Sequence, residues 1–367
     1  VVAWGDLNAD GWLDLYVGYY PVSDPPDPPD PDAPCPFDCL FLNDGDGTFT
    51  SISHLLDSAE LAKTAFVANF TDIDNDGDLD LYVVNDRFDG NTLWRNGSPD
   101  CDGWCLTNVA VATGADEPVE GMGIAVGDTD ADGDLDLYFS STAGQGQVYL
   151  ENRLSDSETL QFVNATEATG LGYHAIGWAT HFLDMNNDRW LDAYLAVMND
   201  PPLSDRVYRN MPGQVEFQDV SAGSGVSDPE ETLGASQWDY DRDGRQDLVV
   251  CNANEGYEIY RNVTAEAGDW LEVELIGGGS VNRDAIGSRV TLTSDDGMQQ
   301  IREVTSGQGR GGNSMFPVHF GLGDQAVAAL TVDWPDGVRS QLEAVAPNQY
   351  LRVVHPALEL LLADGFE

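Results

Sequence analysis

The sequence predicts an all-β protein, a β-propeller of four-stranded blades, from three observations: a nine-residue acidic loop recurs five times, a strand pattern follows every copy, and the copies lie about one blade apart. The loops occupy residues 6–14, 72–80, 128–136, 184–192 and 239–247, with starts 66, 56, 56 and 55 residues apart. That interval is room for four short strands and their turns.

Four copies follow Asp-x-Asp/Asn-x-Asp-Gly-x-x-Asp and the fourth in order departs only at the glycine, so side-chain oxygens recur at positions one, three, five and nine. On a tight loop such oxygens converge on one hard cation, and calcium takes six to eight of them at roughly 2.3–2.6 Å. Position seven would add a backbone carbonyl, from Trp12, Asp78, Asp134, Trp190 and Arg245 in turn, and the glycine at position six permits the sharp bend. An EF-hand is excluded, because its position-twelve glutamate is replaced by Val17, Val83, Phe139, Leu195 and Val250. Metal-free acidic turns are the bland alternative, but three or four carboxylates a few ångströms apart resist joint ionisation. In the fourth copy Arg189 replaces the glycine, which either forces a non-glycine residue into a left-handed conformation or changes the turn.

Strand patterns follow each loop at residues 13–17, 79–83, 135–139, 191–195 and 246–250. A second cue lies at residues 40–43, 93–96, 148–152, 207–210 and 259–262, and a third is seen at 48–50, 161–163 and 216–220. From residue 269 the acidic repeat gives way to short strands with glycine turns, at 270–276, 288–293, 299–305, 318–321, 329–334 and 350–354. This module either forms a sandwich or completes the ring, with up to seven blades in all. The domains are thus 1–262, 263–356 and a tail at 357–367.

The loops resemble FG-GAP/VCBS-type repeats, the calcium-binding propeller units of integrin α-subunit heads and of many secreted bacterial proteins. That resemblance implies four to five calcium ions held by Asp6, Asn8, Asp10 and Asp14; Asp72, Asp74, Asp76 and Asp80; Asp128, Asp130, Asp132 and Asp136; Asp184, Asn186, Asp188 and Asp192; and Asp239, Asp241, Asp243 and Asp247. Residues 282–290, 302–304, 319–323 and 332–337 look like the ASPIC/UnbV domain, which follows such repeats in the cartilage acidic protein family and its bacterial relatives. The chain departs from that domain at Gly309-Arg310-Gly311-Gly312-Asn313, where an aromatic residue and a Ser-Gln pair are expected. Alone, this stretch lacks the Gly-Lys-Ser/Thr context of a phosphate cradle and reads as a turn.

Composition narrows the function further. The formal net charge of -48, from 64 acidic and 16 basic residues, repels phosphate backbones and anionic lipid and excludes a nucleic-acid partner. With 42% hydrophobic and 10% aromatic residues the chain can still bury a core, unlike an acidic disordered segment. No run approaches the eighteen apolar residues that membrane insertion by a helix needs. Val1 to Trp4 already read as a strand, so any signal peptide is expected to precede this sequence. The close pairs Cys35/Cys39 and Cys101/Cys105 read as two local disulfides, with a four-thiolate zinc site as the alternative, and Cys251 as a buried small hydrophobe. Residues 21–32 read as a proline-rich spacer, and sequons stand at Asn69, Asn96, Asn164 and Asn262.

For catalysis the candidates are His174 and His181, with Tyr173 and Glu120, near the strand that enters the fourth loop; the competing reading is a packed His181 and a loop His174. Two functions follow. One is a secreted, periplasmic or cell-surface binding or adhesion module whose partner is a protein, glycan or small molecule. The other is a secreted or biosynthetic enzyme of lyase, hydrolase or cyclase type using the central funnel, since ASPIC/UnbV relatives occur in natural-product gene clusters. A deep pocket uniting the histidines favours the enzyme, and a filled channel favours binding.

Overall fold

The computed structural model describes residues 1–20, 35, 37–97, 105–198, 204–226, 231–253, 256–310 and 317–358. The chain as far as Tyr260 forms consecutive antiparallel sheets that take their strands in sequence order. The first holds β1 to β4 (Val2–Gly5, Asp14–Val17, Cys39–Asn43, Phe49–Ser51) and the second β5 to β8 (Ala65–Thr71, Asp80–Asn85, Thr92–Arg95, Thr107–Asn108). The third holds β9 to β12 (Gly123–Gly127, Asp136–Ser140, Val148–Asn152, Phe162–Asn164) and the fourth β13 to β16 (Ile176–Leu183, Asp192–Met198, Arg206–Arg209, Gln218–Asp219). The fifth has three strands among the described residues, β17 to β19 (Thr232–Trp238, Asp247–Asn252, Gly256–Tyr260). Every acidic loop joins the first strand of its sheet to the second.

These sheets are the blades of a propeller. The first strands pack in succession, β1 on β5, β5 on β9, β9 on β13 and β13 on β17. The inner blades are covered on both faces, so their second strands read as continuous apolar runs rather than alternating ones; every residue of β6 and β10 is buried. One core, for example, joins Tyr82, Val84 and Leu93 of the second blade to Ile124, Leu137 and Phe139 of the third. The second strand of the first four blades carries a fully buried tyrosine two residues after its opening aspartate, as Tyr16, Tyr82, Tyr138 and Tyr194. Their hydroxyls are satisfied: Tyr16 donates to Asp38 at 2.5 Å, Tyr194 to Asp205, Tyr82 to the Ala115 carbonyl at 2.8 Å and Tyr138 to the Leu171 carbonyl at 3.1 Å. The fifth blade has Val249 in this place.

Beyond the blades, β20 to β26 (Asp269–Ile276, Arg289–Ser294, Gln299–Glu303, Val318–Gly323, Val327–Asp333, Arg339–Glu343, Gln349–Val354) form two sheets, ordered β23-β20-β26 and β22-β21-β24-β25. One core lies between them, built from Leu271, Val273, Leu275, Val290, Leu292, Phe320, Leu330, Val332 and Val353. Of the two arrangements left open by the sequence, this is the sandwich. Strand β20 pairs in parallel with β26, which no blade does.

The sandwich sends residues 305–310 across the middle of the propeller. In chain order, the Trp4 amide of β1 donates to Ser306 Oγ at 3.1 Å, and Asn69 of β5 donates to the Gly307 carbonyl. Gly309 forms a two-bond bridge with Ile124 of β9, and Arg310 donates to the Leu233 carbonyl of β17 at 2.9 Å. At Gly309, φ is +71°, and a Cβ would stand 2.8 Å from the imidazole of His181 on β13, so only glycine fits. The hub is therefore filled by the chain itself, touching the innermost strand of every blade.

Several expectations change. Strand β25, polar and alternating at the sheet edge, carries no apolar run to announce it, and neither do the one-turn helices Ala110–Thr113, Thr166–Thr169 and Ser221–Ser224 that precede the next blade. Cys251 is exposed rather than buried, because β18 alternates and Val250 takes the inward place. Cys35 and Cys39 form a disulfide, which removes the four-thiolate zinc alternative. Cys105 is disulfide-bonded as well, while its expected partner Cys101 lies outside the described residues, as do residues 21–32, Gly311 to Asn313 and the stretch from residue 359 on. Of the sequons, Asn69 and Asn96 are buried and Asn262 donates its amide to backbone, whereas Asn164 is exposed.

Candidate metal centres

All five acidic loops share one backbone course. Position four is left-handed, with φ of 53°, 61°, 61°, 58° and 62° at Ala9, Asn75, Ala131, Asn187 and Arg242, and so is position six, at 92°, 94°, 94°, 85° and 84°. Arg189 therefore keeps the turn at the cost of strain, the first of the two outcomes its sequence allowed. The turn aims amides at the first aspartate: Arg189 donates to Asp184 at 2.7 Å just as Gly11 does to Asp6 at 2.9 Å and Gly244 to Asp239 at 2.7 Å.

Position nine ties each loop to its blade. Asp14, Asp80, Asp136, Asp192 and Asp247 accept the amide of position two through one oxygen, at 2.8–3.2 Å. Through the other oxygen they accept the amides of Asn43, Asn96, Asn152, Asn210 and Asn262 at 2.7–3.0 Å. The asparagines then reach backwards. Asn96, Asn152, Asn210 and Asn262 donate Nδ2 to the position-two carbonyls of the preceding loops, Leu7, Ile73, Thr129 and Met185, at 2.7–3.1 Å. The asparagine closing each third strand was in plain view in the sequence, but its stitching role was not.

The remaining oxygens converge. Carboxylate oxygens of Asp72, Asp74 and Asp76 lie within 4.8 Å of one another, as do those of Asp128, Asp130 and Asp132, and of Asp239, Asp241 and Asp247. The first and fourth loops carry Asn8 and Asn186 at position three, which offer a neutral oxygen instead. Among the described residues, Asp72 Oδ1, Asp74 Oδ1, Asp128 Oδ1 and Asn186 Oδ1 are buried without a hydrogen-bond partner. Burial above all, with repulsion from neighbouring carboxylates behind it, pushes Asp76 up to about 6 and Asp130 up to about 7; burial likewise raises Asp6 to about 6 and Asp14, Asp128 and Asp184 to about 7. A buried oxygen with no donor, on a carboxyl that resists ionisation, fits a divalent cation with oxygen preference.

The loops differ in their flanking charge. The residue before each stitching asparagine is Arg95, Glu151, Arg209 or Arg261 in the second to fifth blades. Arg95 pairs with Asp74, Arg209 with Asp188 at 3.1 Å, and Arg261 with Asp241 at 2.7 Å and Asp243 at 3.1 Å. In the third blade Glu151 instead adds repulsion to Asp130.

The sandwich sits on the same face. Arg289 donates to the Asp72 carbonyl at 2.5 Å, Glu303 accepts from Thr71 Oγ1 at 2.6 Å and the Asp72 amide at 3.1 Å, Tyr350 donates to Asp239 at 2.7 Å, and Arg189 pairs with Asp296 at 2.6 Å. None of these partners is signalled by a local motif.

The histidines are not brought together. His181 is buried beside Gly309, with Nε2 2.7 Å from the Ala235 carbonyl, and burial lowers it to about 4. His174 is exposed, with Nδ1 3.2 Å from the Ala143 carbonyl. Tyr173 lies 4.0 Å under the Arg206 guanidinium, and Glu120 accepts from Thr142 at 2.7 Å.

Residues 6–83 and 72–139 match the FG-GAP-like repeat, and residues 278–359 match the family described as ASPIC and UnbV. The chain is 23% identical over 269 residues to human cartilage acidic protein 1, covering 71% of this chain, and 22% identical over 262 residues to the mouse protein, covering 68%. It spans 40% of the length of either relative. Among solved structures, it is similar to an Agrocybe aegerita lectin recognising non-reducing terminal N-acetylglucosamine, with TM-score 0.41, 16% identity, and coverage of 73% of this chain and 64% of the lectin. A Bacillus licheniformis rhamnogalacturonan lyase gives TM-score 0.36 and 11% identity, over 96% of this chain and 72% of the lyase.

Proposed function

We propose that this chain, an array of FG-GAP-like repeats running into an ASPIC and UnbV domain, is a calcium-loaded β-propeller that works outside the cell as a ligand-binding or adhesion module. The observation that carries the metal assignment is the set of buried, partnerless oxygens on Asp72, Asp74, Asp128 and Asn186. Calcium supplies the missing positive charge, and the side chains of positions one, three, five and nine of each loop would hold it, with the carbonyl of position seven; in the fifth loop position nine, Asp247, already converges with Asp239 and Asp241. Position nine keeps the loop closed while it does so. The ions are architectural in this reading: they neutralise the corner where first and second strands meet, and the stitching asparagines pass that order to the next blade.

The Cys35–Cys39 disulfide supports an oxidising, extracellular or periplasmic setting. Among the described residues, no helix is long and apolar enough to cross a membrane. The filled hub and the separation of His181 from His174 support binding over catalysis in a funnel. Melting the purified chain in millimolar calcium and in EDTA, with elemental analysis, tests the assignment. Four to five ions and a higher melting temperature in calcium are expected; an unchanged melt with fewer than two ions overturns it.

A further inference from the structure

Strand β20 alternates, sending Leu271, Val273 and Leu275 into the sandwich core and Glu272 and Glu274 out toward the fifth blade. Between them and the fifth acidic loop lies a groove of about 590 Å³, within the range of small-ligand sites, and such sites favour junctions between domains. Its floor is Glu272, only 2% exposed. One Glu272 oxygen accepts from Gln246 at 2.7 Å. Trp238 and Tyr240 form one wall, their rings edge-on at 6.3 Å, and Tyr350 the other, braced by Trp270 at 5.3 Å. Tyr240 and Tyr350 remain 46% and 38% exposed. Arg352 pairs with Glu274 at 2.7 Å on the rim, and the Arg242 guanidinium stands 5.4 Å over Tyr350.

We propose that this groove binds a neutral oligosaccharide. A sugar ring presents C–H faces that lie on aromatic rings and a girdle of hydroxyls that donate to carboxylates and accept from guanidinium groups, which is the mixture on these walls. Other ligand classes fit worse. Glu274 and Asp239 repel phosphates and carboxylates, Arg242 and Arg352 repel cationic peptides, and polar atoms make up too much of the lining for a lipid chain. The inference rests on reading the chain as a binding module and is independent of which cation the loops hold.

The test uses the whole chain in calcium, titrated with cello-, xylo-, manno- and chito-oligosaccharides and followed by calorimetry and tryptophan fluorescence. At least one series binds and shifts the emission, and Arg352→Ala and Glu274→Ala each weaken it at least tenfold. Both variants keep the ion count and melting temperature of the parent, which separates loss of the groove from loss of fold. Failure of all four series, or binding that survives both substitutions, overturns the proposal; if the ion count is then normal, the calcium reading stands without it. Binding of lipid vesicles or of an acidic peptide that the same variants abolish overturns it equally.

Discussion

The third and fifth acidic loops carry the same aspartates at the same four positions, yet the charges around them are opposite. Over the fifth loop, Arg261 reaches Asp241 and Asp243, and Arg245 also pairs with Asp243. Beside the third, Glu151 faces Asp130, and Arg153 turns away to hold Glu151 at 2.8 Å. On the proposed reading, ligand spacing sets which atoms meet the cation, while the flanking residues, Arg261 and Arg245 on the fifth loop and Glu151 and Arg302 on the third, set how much negative charge is left for it. If the loops hold calcium as proposed, the third is predicted to bind it more tightly than the fifth, because a cation entering the fifth must displace guanidinium groups.

The largest effect belongs to the third loop's own ligands. Asp128→Asn with Asp130→Asn removes one ion by elemental analysis and, if calcium stands a hundredfold above that site's Kd, about 2.7 kcal/mol of stability. Asp239→Asn with Asp241→Asn loses less at the same calcium concentration, and equal losses in the two melts would break the comparison.

A charge swap sharpens it. Glu151→Arg weakens calcium binding at the third loop about tenfold, and Arg261→Glu strengthens the fifth by a similar factor, both partly screened by solvent. Competition against a fluorescent chelator reads both constants, and changes under twofold would dissociate flanking charge from affinity.

The pH dependence is next in size, and its sign follows from the raised carboxyls. Asp128 and Asp130 hold protons up to about 7 in the folded metal-free chain against 3.8 unfolded, so their contribution is favourable in acid and is lost as pH rises between those values. In EDTA the chain melts lower at pH 8 than at pH 5.5. In calcium that difference shrinks, and Asp130→Asn diminishes it in EDTA too. A metal-free melt that rises with pH over this interval would contradict the raised carboxyls.

The smallest effect is at the fourth loop, where Arg189→Gly relieves a left-handed arginine but deletes its pair with Asp296. Strain relief of about 1 kcal/mol outweighs an exposed ion pair worth a fraction of that, so the variant melts slightly higher. A lower melting temperature would make the Asp296 contact a principal anchor of the sandwich.

What the sequence made legible follows from the range of each interaction. Ligand spacing acts over nine residues, so all five loops could be found and the EF-hand set aside from Val17 and its equivalents. Asn96, Asn152, Asn210 and Asn262 recur just as regularly, but each bonds a loop about 80 residues upstream, and nothing local announces it. The occupant of the hub was least visible, since Ser306 meets Trp4 across 302 residues. Cys251 misled because its apolar run suggests two-sided burial, whereas the fifth blade, three-stranded among the described residues, leaves this side chain exposed.

Residues 305–310 resemble an axle delivered after the wheel. A chain cut behind Tyr260 contains every spoke, but the inner backbone groups of Ile124 and Leu233 and the side chain of Asn69 would then face water or one another. The contacts of the hub therefore join the sandwich to the inner strands, so cutting the chain there would cost the propeller those bonds as well as the sandwich.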